Sequence, residues 1–136
     1  MATRRRAREC ALQMMFQMDA SGAAPGQVVH LYKECFSEGL LPDEFSIALF
    51  LGIAENVSDI DGVISSSSDH WRLDRMSCVD RNILRMGVHE ILSSEEIPPR
   101  VAINEAVELA KRYGTAESPS FVNGILDRVA RDKSKI

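Results

Sequence analysis

Pro98-Pro99-Arg100-Val101-Ala102-Ile103-Asn104-Glu105-Ala106-Val107-Glu108-Leu109-Ala110-Lys111-Arg112-Tyr113-Gly114 holds the fold in miniature. The double proline breaks the preceding chain and starts a helix, because the first turn of a helix has backbone N–H groups with no intrahelical partner to lose. From about Arg100 to Tyr113, Val101, Ile103, Ala106, Val107 and Ala110 recur at the spacing of one helix face. Glu108 is placed to pair with Arg112 at i,i+4. Gly114 then fits a left-handed C-cap. Helix, glycine stop, short polar turn: the pattern repeats in both directions from here.

Downstream, Ser118-Pro119 reads as an N-cap with proline at the first helical position. Phe121, Val122, Ile125, Leu126 and Val129 carry that last helix to about Asp132. Upstream, Ser77 with Asp80 resembles a capping box in which the shorter acid replaces Glu. Val79, Ile83, Leu84, Met86, Val88 and Ile91 follow, to a stop near Ser93. Further back, Phe45, Leu49, Gly52, Ile53, Val57, Ile60 and Ile64 predict one helix from about Asp43 to Ser65, closed by the tetrad Ser65-Ser66-Ser67-Ser68. A helix from about Gly26 to Glu38 precedes it, stopped by Gly39, with Pro42 opening the next. No stretch alternates polar and apolar residues in the manner of a strand. The reading is all-α: about seven helices in two packed bundles, an N-terminal subdomain 1–68 and a C-terminal subdomain 69–136 of one domain spanning 1–136.

Composition narrows the function classes. At 136 residues, 45% hydrophobic and 26% charged, the chain is long enough for a sizeable core and ordinary for a soluble globular protein. No apolar run approaches a membrane span, and the start lacks the apolar stretch of a signal peptide. Cys10, Cys35 and Cys78 are odd in number and set in helix-like apolar surroundings, which predicts buried free thiols in a reducing cytoplasm. With His30, His70 and His89 they make no metal-ligand spacing, so no metal and no cofactor is expected. No Ser/His/Asp grouping and no glycine-rich phosphate loop is present, and no enzymatic activity is expected.

The charge distribution is less ordinary. Arg4, Arg5, Arg6 and Arg8 are a quarter of the 16 Lys and Arg residues, in a chain of net charge −4. Crowded like charges cost folding energy that an anionic ligand recovers, and a nucleic-acid backbone is the obvious candidate. A solvated, frayed terminus is the competing explanation. The residues that follow bear on that choice. Ala7, Ala11, Met14, Met15 and Met18 recur at helical spacing, Thr3 is placed to cap, and Gly22 with Pro25 to stop. The arginines therefore start a packed helix, where they oppose its macrodipole. The segment from Lys33 to His70 carries eight acids against one lysine and is expected to face away from them.

Four segments together resemble the transcription antitermination protein NusB family. They are Arg4 through Gln13; Trp71-Arg72-Leu73-Asp74-Arg75-Met76 running into Val79-Asp80-Arg81-Asn82-Ile83-Leu84-Arg85; Pro98 through Lys111; and Phe121-Val122-Asn123-Gly124-Ile125-Leu126-Asp127. The third and fourth are the specific ones, and the resemblance is weakest between Ser21 and Asp69. It implies two three-helix bundles, and an RNA-binding factor that holds the single-stranded boxA element of nascent ribosomal RNA leaders. The implied partners are NusE, a small-subunit ribosomal protein, and an RNA polymerase antitermination complex with NusA and NusG.

Phosphate contact would then fall to Arg4, Arg5, Arg6 and Arg8, whose forked donors suit it. Phe16, where relatives carry Tyr, offers either core packing or an apolar face to a base. The resemblance implies an RNA path continuing over Arg75, Lys111, Arg112, Tyr113, Glu117, Ser120 and Phe121, with backbone N–H groups near Ser118 available to a phosphate. It puts Asp80, with Arg81 beside it, on the face that meets NusE. Arg85 is either partner-facing or an internal salt bridge. Asn104 and Asn123 are expected to be structural, capping or cross-linking helices through side-chain hydrogen bonds. Two alternatives accompany this reading. One is an interaction module, a homodimer with its RNA face covered. The other is an accessory domain of rRNA modification, since a similar domain precedes the cofactor-binding domain of an rRNA cytosine methyltransferase; the chain ending at Ile136 leaves no room for that second domain.

Overall fold

The computed structural model describes residues 4–35, 44–68, 72–93 and 96–133. The fold is all-α. Among the described residues are helices α1 (Arg4–Ser21), α2 (Pro25–Cys35), α3 (Glu44–Glu55), α4 (Val57–Ser67), α5 (Cys78–Ser93), α6 (Pro99–Tyr113) and α7 (Ser118–Asp132), with a 3₁₀ turn at Leu73–Arg75. No described helix is long and apolar enough to cross a membrane.

Two compact units divide the chain, Met1–Glu55 and Asn56–Ile136. In the first, α1 packs on α2 and α3. Its residues Ala7 through Leu12 are buried without a gap, so α1 is covered around its circumference there. Leu12, Met14 and Met15 meet Val28, Phe50 and Ile53 in a core from which solvent is excluded. Gly22 ends α1 as its position suggests: at φ +70° it takes the left-handed conformation that costs a glycine little, and its N–H reaches Met18 O at 2.8 Å. Thr3, Gly39 and Pro42 lie outside the described residues.

The segment read as one helix from Asp43 to Ser65 is two. Asn56, at φ −114° and ψ 17°, leaves the helical backbone, and Val57 starts α4. The apolar pattern hides this break, because Ile53, Val57, Ile60 and Ile64 keep helical spacing across it. The compact units consequently separate at Asn56, whereas the sequence reading divides the chain after Ser68 and leaves α4 in the N-terminal part. In the structure α4 packs on α5 and α7. A clamp accounts for this: Arg85 Nε and Nη2 donate to Asp61 Oδ1 and Oδ2 at 2.8 and 2.9 Å, and Nη1 donates to Asn82 Oδ1 at 3.0 Å. Asn82, fully buried, donates in turn to Cys78 O at 3.0 Å. Arg85 is thus an internal ion-pair residue.

Helices α5, α6 and α7 build the second core from Ile83, Leu84, Ile91, Leu109, Leu126 and Val129. Gly87 lets α5 approach α7: a Cβ there would stand 2.5 Å from Leu126 Cδ1. Several local expectations are corrected. Gly114 is extended (φ −96°, ψ −165°), not left-handed; it is required because a Cβ would stand 2.4 Å from Ser118 Oγ. Ser118 does not cap α7; its hydroxyl accepts the N–H of Thr115 at 3.0 Å instead. Ser77 caps α5 through the Asp80 N–H at 3.0 Å, but Asp80 Oδ1 is buried without a partner, so only half of the capping box forms. Glu108 accepts from Lys111, three residues on, at 3.1 Å. On α6 the buried stripe is Ala102, Ile103, Ala106, Leu109 and Ala110; Val101 is 43% exposed and Asn104 is exposed as well. Asn123 is exposed too, and neither asparagine makes a side-chain hydrogen bond to another described residue. Cys10 is buried as expected, but Cys78, first residue of α5, is exposed; the Cys35 side chain lies outside the described residues.

Candidate nucleic-acid interface

The arginine cluster occupies the first turns of α1, with no acid in the first turn to offset it. Arg4, Arg5 and Arg6 are exposed. Arg8 is not: at 4% exposed it points into the fold, which sets it apart from the phosphate-facing group to which the sequence assigns it. Phe45 on α3 braces two members of the cluster. The Arg4 guanidinium carbon lies 3.9 Å from the centre of its ring and that of Arg8 5.8 Å. A cation over an aromatic face is attracted by the ring quadrupole, and stacking spends the guanidinium's face while leaving its in-plane N–H fork for an acceptor. The acidic segment therefore does not stand wholly clear of the basic one, since Phe45 adjoins Glu44 at the start of α3. Phe16 is half-buried and lines a groove between α1 and α2.

In the second unit, a pocket of about 330 Å³ is lined by Arg75, Ser77, Asp80, Thr115, Glu117 and Phe121, with Met76 and Ser118 completing it. Its wall is the turn between α6 and α7. Gly114 N–H closes α6 on Ala110 O at 2.9 Å; Ser118 N–H returns to Thr115 O at 3.1 Å; and the Thr115 hydroxyl donates to Glu117 Oε2 at 3.2 Å. Without room for a side chain at residue 114, this turn fixes where Glu117 and Phe121 stand. Phe121, half-exposed at the margin of the α7 core stripe, gives the pocket an aromatic face. Arg75 brings a cation from the 3₁₀ turn. The Asp80 carboxylate lines the pocket too, although its Oδ1 is buried and without a partner. A cation, an aromatic ring and carboxylate acceptors in one hollow suit a nucleotide, whose phosphate, ring and amino groups match them in turn.

The sequence model of the NusB family matches residues 5–131. The chain belongs to the NusB family. It is 50% identical over 127 residues to the transcription antitermination protein NusB of Pelotomaculum thermopropionicum, covering 93% of this chain and 88% of that one. It is 42% identical to NusB of Sorangium cellulosum over 139 residues, with 100% and 97% covered. Among solved structures, T. maritima NusB superposes with a TM-score of 0.84 at 39% identity, over 98% of this chain and 96% of that one. A crystal structure of the antitermination factors NusB and NusE in complex with dsRNA matches with a TM-score of 0.76 at 28% identity, over 95% and 96%.

Within this NusB fold, the residues singled out in the sequence fall into separate local groups. Arg4, Arg5 and Arg6 form one on α1. Arg75, Asp80, Glu117 and Phe121 share the pocket, so the residue assigned to the protein partner and those assigned to the RNA path meet in one hollow. Lys111 and Arg112 are exposed at the end of α6, Lys111 held by Glu108 and the Arg112 guanidinium carbon 5.7 Å from the Tyr113 ring. Ser120 is exposed on the first turn of α7, and Arg81 is half-buried on α5 outside the pocket lining. Sequence reasoning missed Phe45, Ser77 and Thr115 as site residues. Phe45 carries the helical spacing of a core residue, and its arginine partners stand on a different helix, so no local signal marks it.

Proposed function

We propose that this member of the NusB family binds single-stranded RNA of the boxA type in the cytoplasm, together with NusE, within an RNA polymerase antitermination complex containing NusA and NusG. The observation that carries the reading is the exposed triplet Arg4-Arg5-Arg6, mounted on a helix start, with Arg4 braced by Phe45, in a protein of net negative charge. Cations opposing a helix dipole are unfavourable in the free protein and become favourable when phosphates neutralise them. The pocket at the α6–α7 turn supports base recognition, with Phe121 for stacking and Arg75 for a phosphate. Arg8, being buried, acts as a positioning residue for the cluster. The NusE contact is assigned to Asp80 and Arg81, both partly exposed at the start of α5.

The test is titration of a boxA-bearing single strand and of a duplex of the same sequence, with and without NusE, across a salt series. Removing one phosphate contact flattens the log–log salt slope by about 0.7 on single strands, so Arg5→Ala with Arg6→Ala should flatten it by roughly 1.4. Asp80→Lys should weaken NusE binding more than it weakens RNA binding by the protein alone; equal loss in both would contradict the assignment. An unchanged slope in the double variant, or tighter binding of the duplex than of the single strand, defeats the proposal.

A further inference from the structure

The groove between α1 and α2 holds a polar pair that the proposed function leaves unused. Phe16, Ala20, Val28 and Leu31 form apolar walls around about 470 Å³, and Leu31 is 42% exposed. Across it, the hydroxyl of Tyr32, itself 5% exposed, donates to Gln13 Oε1. This bond orients the amide. With its carbonyl oxygen engaged by Tyr32, Gln13 has its two Nε2–H donors to offer in the groove. Gln13 also follows Arg6 by seven residues, two helical turns, which puts both on the same face of α1 roughly 10 Å apart along the axis. A strand whose phosphates rest on the arginines reaches the groove within a nucleotide or two.

We propose that the α1–α2 groove seats one unpaired base of that RNA strand and prefers uracil over cytosine. The proposal rests on the RNA binding proposed for the arginine cluster. The two pyrimidines have the same shape and differ at C4, where uracil carries a carbonyl oxygen and cytosine an amino group. The Gln13 amide donates to the first and meets a second donor in the other. Phe16 and Leu31 supply the surface on which the base plane lies; Phe16, lacking a hydroxyl, adds no competing polar group there. The exposure of Leu31 is then that of a wall waiting for a flat apolar face.

The test uses the full chain with oligouridylate and oligocytidylate of equal length, reading the ratio of the two affinities. The wild-type protein should favour oligouridylate by about three- to tenfold, the factor one neutral hydrogen bond supplies. Gln13→Glu still accepts from Tyr32 but has no donor, and its carboxylate accepts from the cytosine amino group, so the preference should reverse. Added negative charge lowers both affinities, which is why the ratio is the readout. Tyr32→Phe frees the amide to rotate and should bring the ratio towards one, with helical circular dichroism confirming an intact fold. If Gln13→Glu leaves the ratio unchanged while Arg5→Ala with Arg6→Ala still abolishes binding, the groove proposal is overturned and the RNA reading stands. If the arginine variant binds both oligonucleotides like the wild type, the RNA reading fails and the groove falls with it. A Leu31→Asp variant that turns a dimer into a monomer without moving the ratio would assign the groove to a second copy of the chain and overturn the proposal.

Discussion

Gly114→Ala adds one methyl group at the point where α6 turns into α7. The new carbon would stand 2.4 Å from Ser118 Oγ, 2.5 Å from Ser118 Cβ and 2.9 Å from Ala110 O. Rotating the serine hydroxyl relieves only the first of these; the other two demand backbone movement. Overpacking of this kind costs about 1–3 kcal/mol. The hydrogen bond from Thr115 N–H to Ser118 Oγ, broken in the process, contributes about 1 kcal/mol. The reduced freedom of the unfolded chain returns about 0.4–1 kcal/mol. A net loss of about 1–3.5 kcal/mol should appear as a lower denaturant midpoint with the slope unchanged. RNA affinity should fall by more than stability alone accounts for, because Thr115, Glu117 and Phe121 move with the turn. The Ser118→Gly background separates the causes. If sterics are responsible, Gly114→Ala should cost only about 1 kcal/mol there, the residual clash with Ala110 O. Wild-type stability for the single variant would refute the steric account. An undiminished cost in the Ser118→Gly background would point instead to a backbone requirement, which φ −96° and ψ −165° do not impose.

Two further outcomes concern the second unit. Asp61→Ala removes both carboxylate bonds from Arg85, whose side chain is 11% exposed; about 2 kcal/mol of stability should be lost in equilibrium unfolding, the scale of charge-assisted bonds near water. The paired exchange of Asp61→Leu with Arg85→Met should recover most of it, and equal stability of Asp61→Ala and wild type would show the clamp to be idle. Burial of His89 on α5 lowers its pKa below the ordinary value of 6.5, outweighing the opposite pull of Glu90. The unfolded chain therefore takes up a proton before the folded one does. The stabilisation is full above about pH 6.5 and declines as pH falls from there towards the depressed folded value. His89→Gln should flatten stability against pH in that window, and a slope identical to the wild type would contradict the assignment.

The helices are legible in the sequence where glycine and proline punctuate them, as at Gly22, Pro99 and Pro119. They are not legible at Asn56, where the break is one of backbone angle while the apolar spacing continues unbroken. Side-chain facing is overread on α6. Val101 and Asn104 sit among apolar neighbours in sequence, but successive residues are rotated by about 100°, which carries both away from the buried stripe. In the candidate site, the exposed charge of Arg4, Arg5 and Arg6 is visible because charge needs no partner to be noticed. Arg8 is misplaced because exposure depends on what covers the helix. Phe45 and the Gln13–Tyr32 pair are invisible because each gains its meaning from a contact between helices distant in sequence.

The stacking of Arg4 on Phe45 also narrows what this arginine does. A guanidinium plane is one of the platforms on which an unstacked base can lie, and here the aromatic ring takes one of its two faces. The fork at its edge is left for phosphate oxygens, which are chemically the same in ribose and deoxyribose polymers. The start of α1 should therefore grip single-stranded DNA as readily as RNA. A preference for the ribose sugar, if competition with DNA reveals one, must be made where a 2′-hydroxyl can be touched, away from Arg4.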